Sequence, residues 1–177
     1  MTRGGLVAAL LGVTAGVIGV ACDAPHATTC SGDPVGKFRF RAEPVTGADA
    51  GACPFASDTA VTFDATIAFD SSTSAILCVD RTEAEPLRGR RDGDHVEVAS
   101  PAAVANVGSC TCAVQVTESV EGNVLRAADG GSAPGFAGEL VNRVRPADGG
   151  ASCEPDAGDA GPRCGAPCDL RWRLTGS

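Results

Sequence analysis

Cysteine is the residue type with the most chemical potential in this 177-residue chain, in which it occurs nine times. Cys164 and Cys168 are four positions apart, a spacing that zinc sites tolerate, and Cys110-x-Cys112 could supply the other ligands. However, the chain has no CxxC motif, and no histidine lies near either pair. We therefore favour disulfides over a zinc or redox centre and expect no metal and no cofactor.

The odd number of cysteines suggests that one of them has a separate role. If Cys22 is that residue, eight remain, and eight can pair without leaving a free thiol. About a hundred connectivities are open to eight cysteines, so the pairing is not predicted. The eight are Cys30, Cys53, Cys78, Cys110, Cys112, Cys153, Cys164 and Cys168.

The first 21 residues have the pattern of a secretory signal, with one positive charge at Arg3 followed by an uncharged apolar stretch. This stretch ends at Val20-Ala21-Cys22, which resembles the lipobox of bacterial lipoproteins. Gly19 departs from that motif, which usually has a bulky aliphatic residue there. The resemblance implies that Cys22 is acylated and becomes the new N-terminus. Ordinary signal cleavage after Ala21 is the alternative.

The elements that must position the remaining cysteines are β-strands. Apolar residues alternate with polar ones from Val61 to Phe69, as in a half-buried strand. The sequence from Leu87 to Val98 predicts a hairpin, because Asp92-Gly93 suits a type I′ turn. Further strands are expected near 37–41, 75–79, 112–117, 123–126, 136–144 and 170–174.

This pattern predicts a single all-β domain over residues 33–176, after a signal peptide (1–21) and a tether (22–32). About eight short strands favour an antiparallel β-sandwich or a small β-barrel, braced by disulfides. Trp172 is the one tryptophan, and it alternates with Leu170 and Leu174 as a core residue would.

Catalytic candidates are weak. A Ser-His-Asp hydrolase would need His95 with Asp92 or Asp94, but the chain has no GxSxG motif, and a solvated histidine at a strand end is the better interpretation. A two-carboxylate hydrolase remains open, because acids are scattered over the strands. These acids are Asp64, Asp70, Glu118, Glu121 and Glu139.

The net charge of −8 argues against nucleic-acid binding, which requires a basic surface. Arg88, Arg90 and Arg91 form a local basic group that could bind an anion, although the neighbouring acids favour salt bridges instead. Calcium binding by Asp148, Asp156 and Asp159 is less favoured than a solvated loop, since their spacing fits no calcium motif.

The chain resembles small cysteine-rich bacterial lipoproteins of unknown function, through its leader, its cysteine layout and its closing strand. We therefore expect an exported protein, anchored to a membrane by lipid and facing the periplasm or the cell surface. We expect a non-enzymatic binding or structural module whose partner is a protein or a small molecule. A hydrolase with paired carboxylates and a disulfide-rich protease inhibitor are the alternatives.

Overall fold

The computed structural model describes residues 30–45, 59–81, 84–106, 113–126, 135–147 and 167–177. Within these ranges the chain forms nine antiparallel β-strands and no helix. The described residues therefore contain no helix that could cross a membrane. The strands are β1 (Asp33–Pro44), β2 (Val61–Phe69), β3 (Ser74–Val79), β4 (Leu87–Asp92), β5 (His95–Ala99), β6 (Ala103–Asn106), β7 (Ala113–Leu125), β8 (Gly135–Pro146) and β9 (Cys168–Gly176).

Eight of these strands close into a barrel. Successive strands pair from β1 to β5, β5 pairs with β7, and the series continues through β8 to β9. β9 then returns to β1, with Leu174 opposite Ala42 and Trp172 opposite Pro44. The all-β prediction is confirmed, and of its two architectures the structure has the small barrel.

A β-bulge joins β5 to β6. Both strands pair with β7, but the path from Ala99 to Ala103 has one residue more than the facing path from Val116 to Ser119. Ser100 holds this bulge, because its amide donates to the Glu118 carbonyl (2.8 Å) and its hydroxyl oxygen accepts from the Glu118 amide (3.0 Å). As a result, β6 continues the barrel wall alongside the first part of β7.

Aromatic rings fill the centre of the barrel. Phe40 is fully buried, and its ring centroid lies 5.7 Å from that of Phe38, 5.3 Å from that of Phe63 and 5.5 Å from that of Phe136. The Phe136 ring is accommodated by Gly122, where an added Cβ would lie 2.6 Å from its Cζ. The lack of a side chain at Gly122 thus leaves space for the Phe136 ring inside the narrow barrel.

The predicted hairpin is confirmed, with its turn one residue later than expected. Asp92 pairs with His95, so Gly93 and Asp94 form the two-residue connection. Gly93 has a φ of 59°, which a type I′ turn requires and glycine adopts without steric cost.

Two strand predictions need correction. Residues 112–117 and 123–126 were expected as separate strands, but β7 runs without interruption from Ala113 to Leu125. Glu118 and Glu121 fall on opposite faces of this strand and hide its alternation. The strand β6 is not predicted from the sequence; it is short, and its Val104 is 67% exposed.

The three cysteines in the described ranges are all disulfide-bonded. Cys30, ahead of β1, is bonded to Cys78 on the outer face of β3, and Cys168 is disulfide-bonded as well. The other predicted disulfide cysteines lie outside the described residues; they are Cys53, Cys110, Cys112, Cys153 and Cys164. Cys22 also lies outside them.

We predict that replacing both Cys30 and Cys78 with serine lowers the free energy of unfolding by about 4 kcal/mol, because the bridge closes a loop with a sequence separation of 48. Denaturant unfolding under non-reducing conditions measures this. The control Thr62→Ser, on the exposed face of β2, should change stability by no more than about 0.5 kcal/mol. Equal stability of the double variant and the wild type would contradict the prediction.

Candidate functional site

Besides Arg91 of β4, two neighbouring polar side chains interrupt the apolar inner face of the barrel. Glu118 on β7 and Asn142 on β8 are direct partners in the strand register. Glu118 is on the same face of β7 as the buried Val120 and Val124, because residues two apart in a strand share a face. Directly opposed residues have Cβ atoms about 4.5–5.5 Å apart, so the two side chains are neighbours. We call Glu118 and Asn142 the polar pair.

The polar pair lies between two hydrophobic clusters. On one side, Val120 belongs to the main barrel core, against which Leu140 packs. On the other side is a second cluster, made of Val114, Val144, Cys168 and Leu170. Trp172 packs against both clusters and so connects them next to the polar pair.

Asn142 has a buried carbonyl oxygen without a hydrogen-bond donor. Its Oδ1 is shielded from solvent, and no donor reaches it from any residue that the structure describes. A buried acceptor in this condition costs about 1–3 kcal/mol of folding free energy. A donor supplied from outside the chain would recover that free energy.

Glu118 is a half-buried carboxylic acid on the inner face of the barrel wall. Burial raises the pKa of Glu118 above its ordinary value, and the positive charge of Arg81 lowers it in part. In the described part of the chain, no side chain forms an ion pair with the Glu118 carboxylate within 4.0 Å. The charged form of Glu118 is therefore poorly solvated. Among the described residues, no positive charge lies close enough to form an ion pair that would offset this cost.

The other acids noted in the sequence do not join Glu118. Asp64, Glu121 and Glu139 occupy the exposed positions of β2, β7 and β8, on the outer side of the barrel wall. Asp70 follows the last residue of β2. The wall therefore separates Glu118 from the three acids that lie within strands.

His95 lies at the surface where β5 begins. Its Nδ1 is 3.3 Å from Oδ1 of Asn123, and its Nε2 is 3.6 Å from Oε1 of Glu121. The Asp94 carboxylate instead accepts a hydrogen bond from Arg126 at 2.6 Å. Two of the residues considered for a catalytic triad, His95 and Asp94, thus have other hydrogen-bond or ion-pair partners.

The arginines of β4 do not converge on one point. Arg88 and Arg90 are two apart and share the outer face, where Arg90 pairs with Glu97 at 2.6 Å. Arg91 is on the opposite face, and its guanidinium carbon lies 3.6 Å from the centroid of the Phe69 ring. The structure therefore divides the candidate anion site into an exposed salt bridge and a cation–π contact.

Metal ligands are not clustered in the described ranges, where no three His, Cys, Asp or Glu side chains could hold an ion together. The aspartates considered for calcium, Asp148, Asp156 and Asp159, lie outside those ranges. Comparison with protein-family models, with curated proteins and with solved structures finds no match to this chain. The polar pair is the candidate functional site within the described residues.

We predict that Glu118→Gln raises the melting temperature at pH 7. Burial raises the folded-state pKa of Glu118 above its ordinary value of 4.5, so the folded protein holds the proton more tightly than the unfolded chain, and stability falls as the pH rises through that pKa. Glutamine removes this loss, since it carries no charge.

The gain should disappear when the pH is lowered to about 3, where the carboxyl is protonated in both states. Thermal unfolding followed by circular dichroism at both pH values measures this. Glu121→Gln, on the exposed face of the same strand, is the matched control and should show no such gain. A gain of equal size at both pH values would contradict the assignment to ionisation.

Proposed function

We propose that this chain is a lipid-anchored cell-envelope protein whose barrel is a non-enzymatic module that binds a small molecule at the polar pair. The observation that carries the proposal is the buried Asn142 Oδ1, which has no donor within the described residues and lies opposite the desolvated Glu118. A few polar groups in an otherwise apolar concave surface are typical of small-molecule sites.

The size of the barrel favours a small ligand. An eight-stranded barrel has an interior just wide enough to be filled by side chains or to hold one small molecule. Phe38, Phe40 and Phe136 fill the central part. The polar pair instead lies beside Leu140 and Trp172, which are only partly buried, and this is the part of the interior to which the proposal assigns the ligand.

Binding is favoured over hydrolysis by the distribution of the carboxylates. Glycosidase-type hydrolysis uses two carboxyl groups about 5–10 Å apart on either side of the scissile bond. Glu118 faces the inner side of the wall, whereas Asp64, Glu121 and Glu139 face the outer side. These acids are therefore not arranged as a catalytic pair.

We predict that the small-molecule fraction of an envelope extract raises the melting temperature of the purified protein, and that the ligand recovered by mass spectrometry has the mass it had in the extract. Asn142→Leu should abolish the shift, because the acceptor is lost. Asn123→Leu, on the exposed face of β7, should retain it. Recovery of a cleaved product would contradict the non-enzymatic proposal, and an equal shift in all three proteins would contradict the site.

For the anchor, we predict that the wild-type protein fractionates with membranes and carries acyl chains on its N-terminal cysteine by mass spectrometry. Two or more chains anchor a protein stably, at about 0.8 kcal/mol per buried CH₂. Cys22→Ser should release the protein into the soluble fraction. A wild-type protein that is soluble and not acylated would contradict the anchor.

A further inference from the structure

We infer that the outer wall formed by β2 and β3 lies against the membrane and that the opposite wall of the barrel faces away from it. This inference rests on the lipid anchor proposed at Cys22, and it names the surface that the anchor brings to the bilayer. It follows from the place where the N-terminal chain joins the barrel and from the length of chain between that place and Cys22.

The N-terminal chain joins the barrel on the side of its wall. Cys30 is bonded to Cys78 on the outer face of β3, and its Sγ lies 3.7 Å from the Thr66 carbonyl oxygen of β2. Two residues later, an added Cβ at Gly32 would lie 2.8 Å from the Phe69 carbonyl oxygen. The chain therefore runs over the outer face of β2 and β3 before β1 begins.

Two apolar side chains lie between these contacts. Ala68 of β2 and Ile76 of β3 are direct partners in register. They point to the outer face, because their neighbours Ile67 and Leu77 belong to the inner core. Nevertheless Ala68 is 0% exposed and Ile76 is 1% exposed. Their burial fits a chain segment that packs on this wall, so the N-terminal chain leaves the barrel at a fixed point.

The charges next to this point are balanced. Lys37 of β1 is the register partner of Thr66, and its ammonium nitrogen lies 2.6 Å from the Asp80 carboxylate. A paired charge of this kind neither repels an anionic lipid surface nor attracts it strongly, in contrast to a polybasic segment. The orientation of the barrel is therefore set by the chain that joins it to the anchor.

That chain is short. Eight residue steps separate Cys22 from Cys30, and eight steps span at most about 29 Å when fully extended. A random-coil chain of the same length averages about 16 Å from end to end. An acylated Cys22 at the bilayer surface therefore holds Cys30, and with it the wall of β2 and β3, close to the lipid headgroups.

The opposite wall is out of reach of the same chain. In the order of the barrel, β7 lies four strands from β2, and β8 lies four strands from β3. Strands about 4.8 Å apart and tilted by about 40°, with an outer layer of side chains about 5 Å thick, give an eight-stranded barrel an outer radius of about 13 Å.

From Cys30, the shortest route round the side of such a barrel to a bilayer lying against β7 and β8 is about 33 Å, which exceeds the full extension of the chain. The wall of β7 and β8 therefore faces away from the membrane. The polar pair lies on these two strands, so this orientation places it on the side away from the bilayer.

Lys37 allows a direct test, because it is the only lysine in the chain and its side chain is 65% exposed. An amine-reactive fluorophore on Lys37 of the acylated protein is measured on phosphatidylcholine vesicles whose headgroups carry a nitroxide quencher. The matched variant combines Lys37→Arg with Ala137→Lys, which moves the label to the exposed face of β8. Lys37→Arg alone corrects for label on the N-terminus. Quenching at position 37 should be at least threefold that at position 137.

A longer tether should remove this difference. With about 20 Gly/Ser residues inserted after Ala24, a random-coil chain averages about 29 Å, and both positions should be quenched equally. Without the insertion, equal quenching or stronger quenching at position 137 would overturn the inference and leave the anchor in place. A difference that survives the insertion would overturn it too, because chain length would not be its cause. A protein that carries no acyl chains and does not bind vesicles would contradict the anchor and the inference together.

Discussion

The pairing of the first strand with the last is the constraint on which the rest of the structure depends. β1 pairs with β2 along one edge and with β9 along the other. This closure joins residues more than a hundred positions apart, for example Phe40 and Gly176. Closing the sheet pairs backbone groups that would otherwise form open edges, and it assigns one face of every barrel strand to the interior.

The barrel interior is narrow, and a few large side chains are therefore enough to fill it. Phe38, Phe40 and Phe136 are each at most 1% exposed, and glycine at position 122 makes room for one of the rings. The outer face has the opposite character, since oppositely charged residues pair across strands, as Arg90 does with Glu97 and Arg171 with Glu139. Exposed pairs of this kind contribute at most about 1 kcal/mol each. Burial of the inner face, rather than these pairs, is the main source of stability.

Most strands could be predicted from the sequence because a barrel wall with one buried face produces clear alternation. The prediction failed where that alternation is broken. In β7, Glu118 occupies an inner position between Val116 and Val120, and the strand therefore looked like two. Glu118 is two residues from each of those valines, and residues two apart in a strand share a face. This spacing was a usable signal that the Glu118 side chain faces inward.

Asn142 could not be recognised in the same way, because its importance depends on the pairing of β7 with β8. That register is set by contacts between strands and is not written in either segment by itself. The same limit applies to the disulfide between Cys30 and Cys78, one of many pairings that the sequence allowed. It applies as well to Arg91, whose inward direction follows from its place in the hairpin.

The polar pair is unfavourable for folding, and this is the strongest reason to assign it a function. Its neighbours on the same inner face, such as Val116, Val120 and Leu140, are apolar. A sequence selected only for stability would place similar residues at positions 118 and 142, since an orphaned acceptor and a desolvated carboxylate both oppose folding. Local violations of this kind are expected where a protein binds something. A ligand that donates hydrogen bonds to both oxygens would turn the same two residues from a cost in the free protein into binding free energy in the complex.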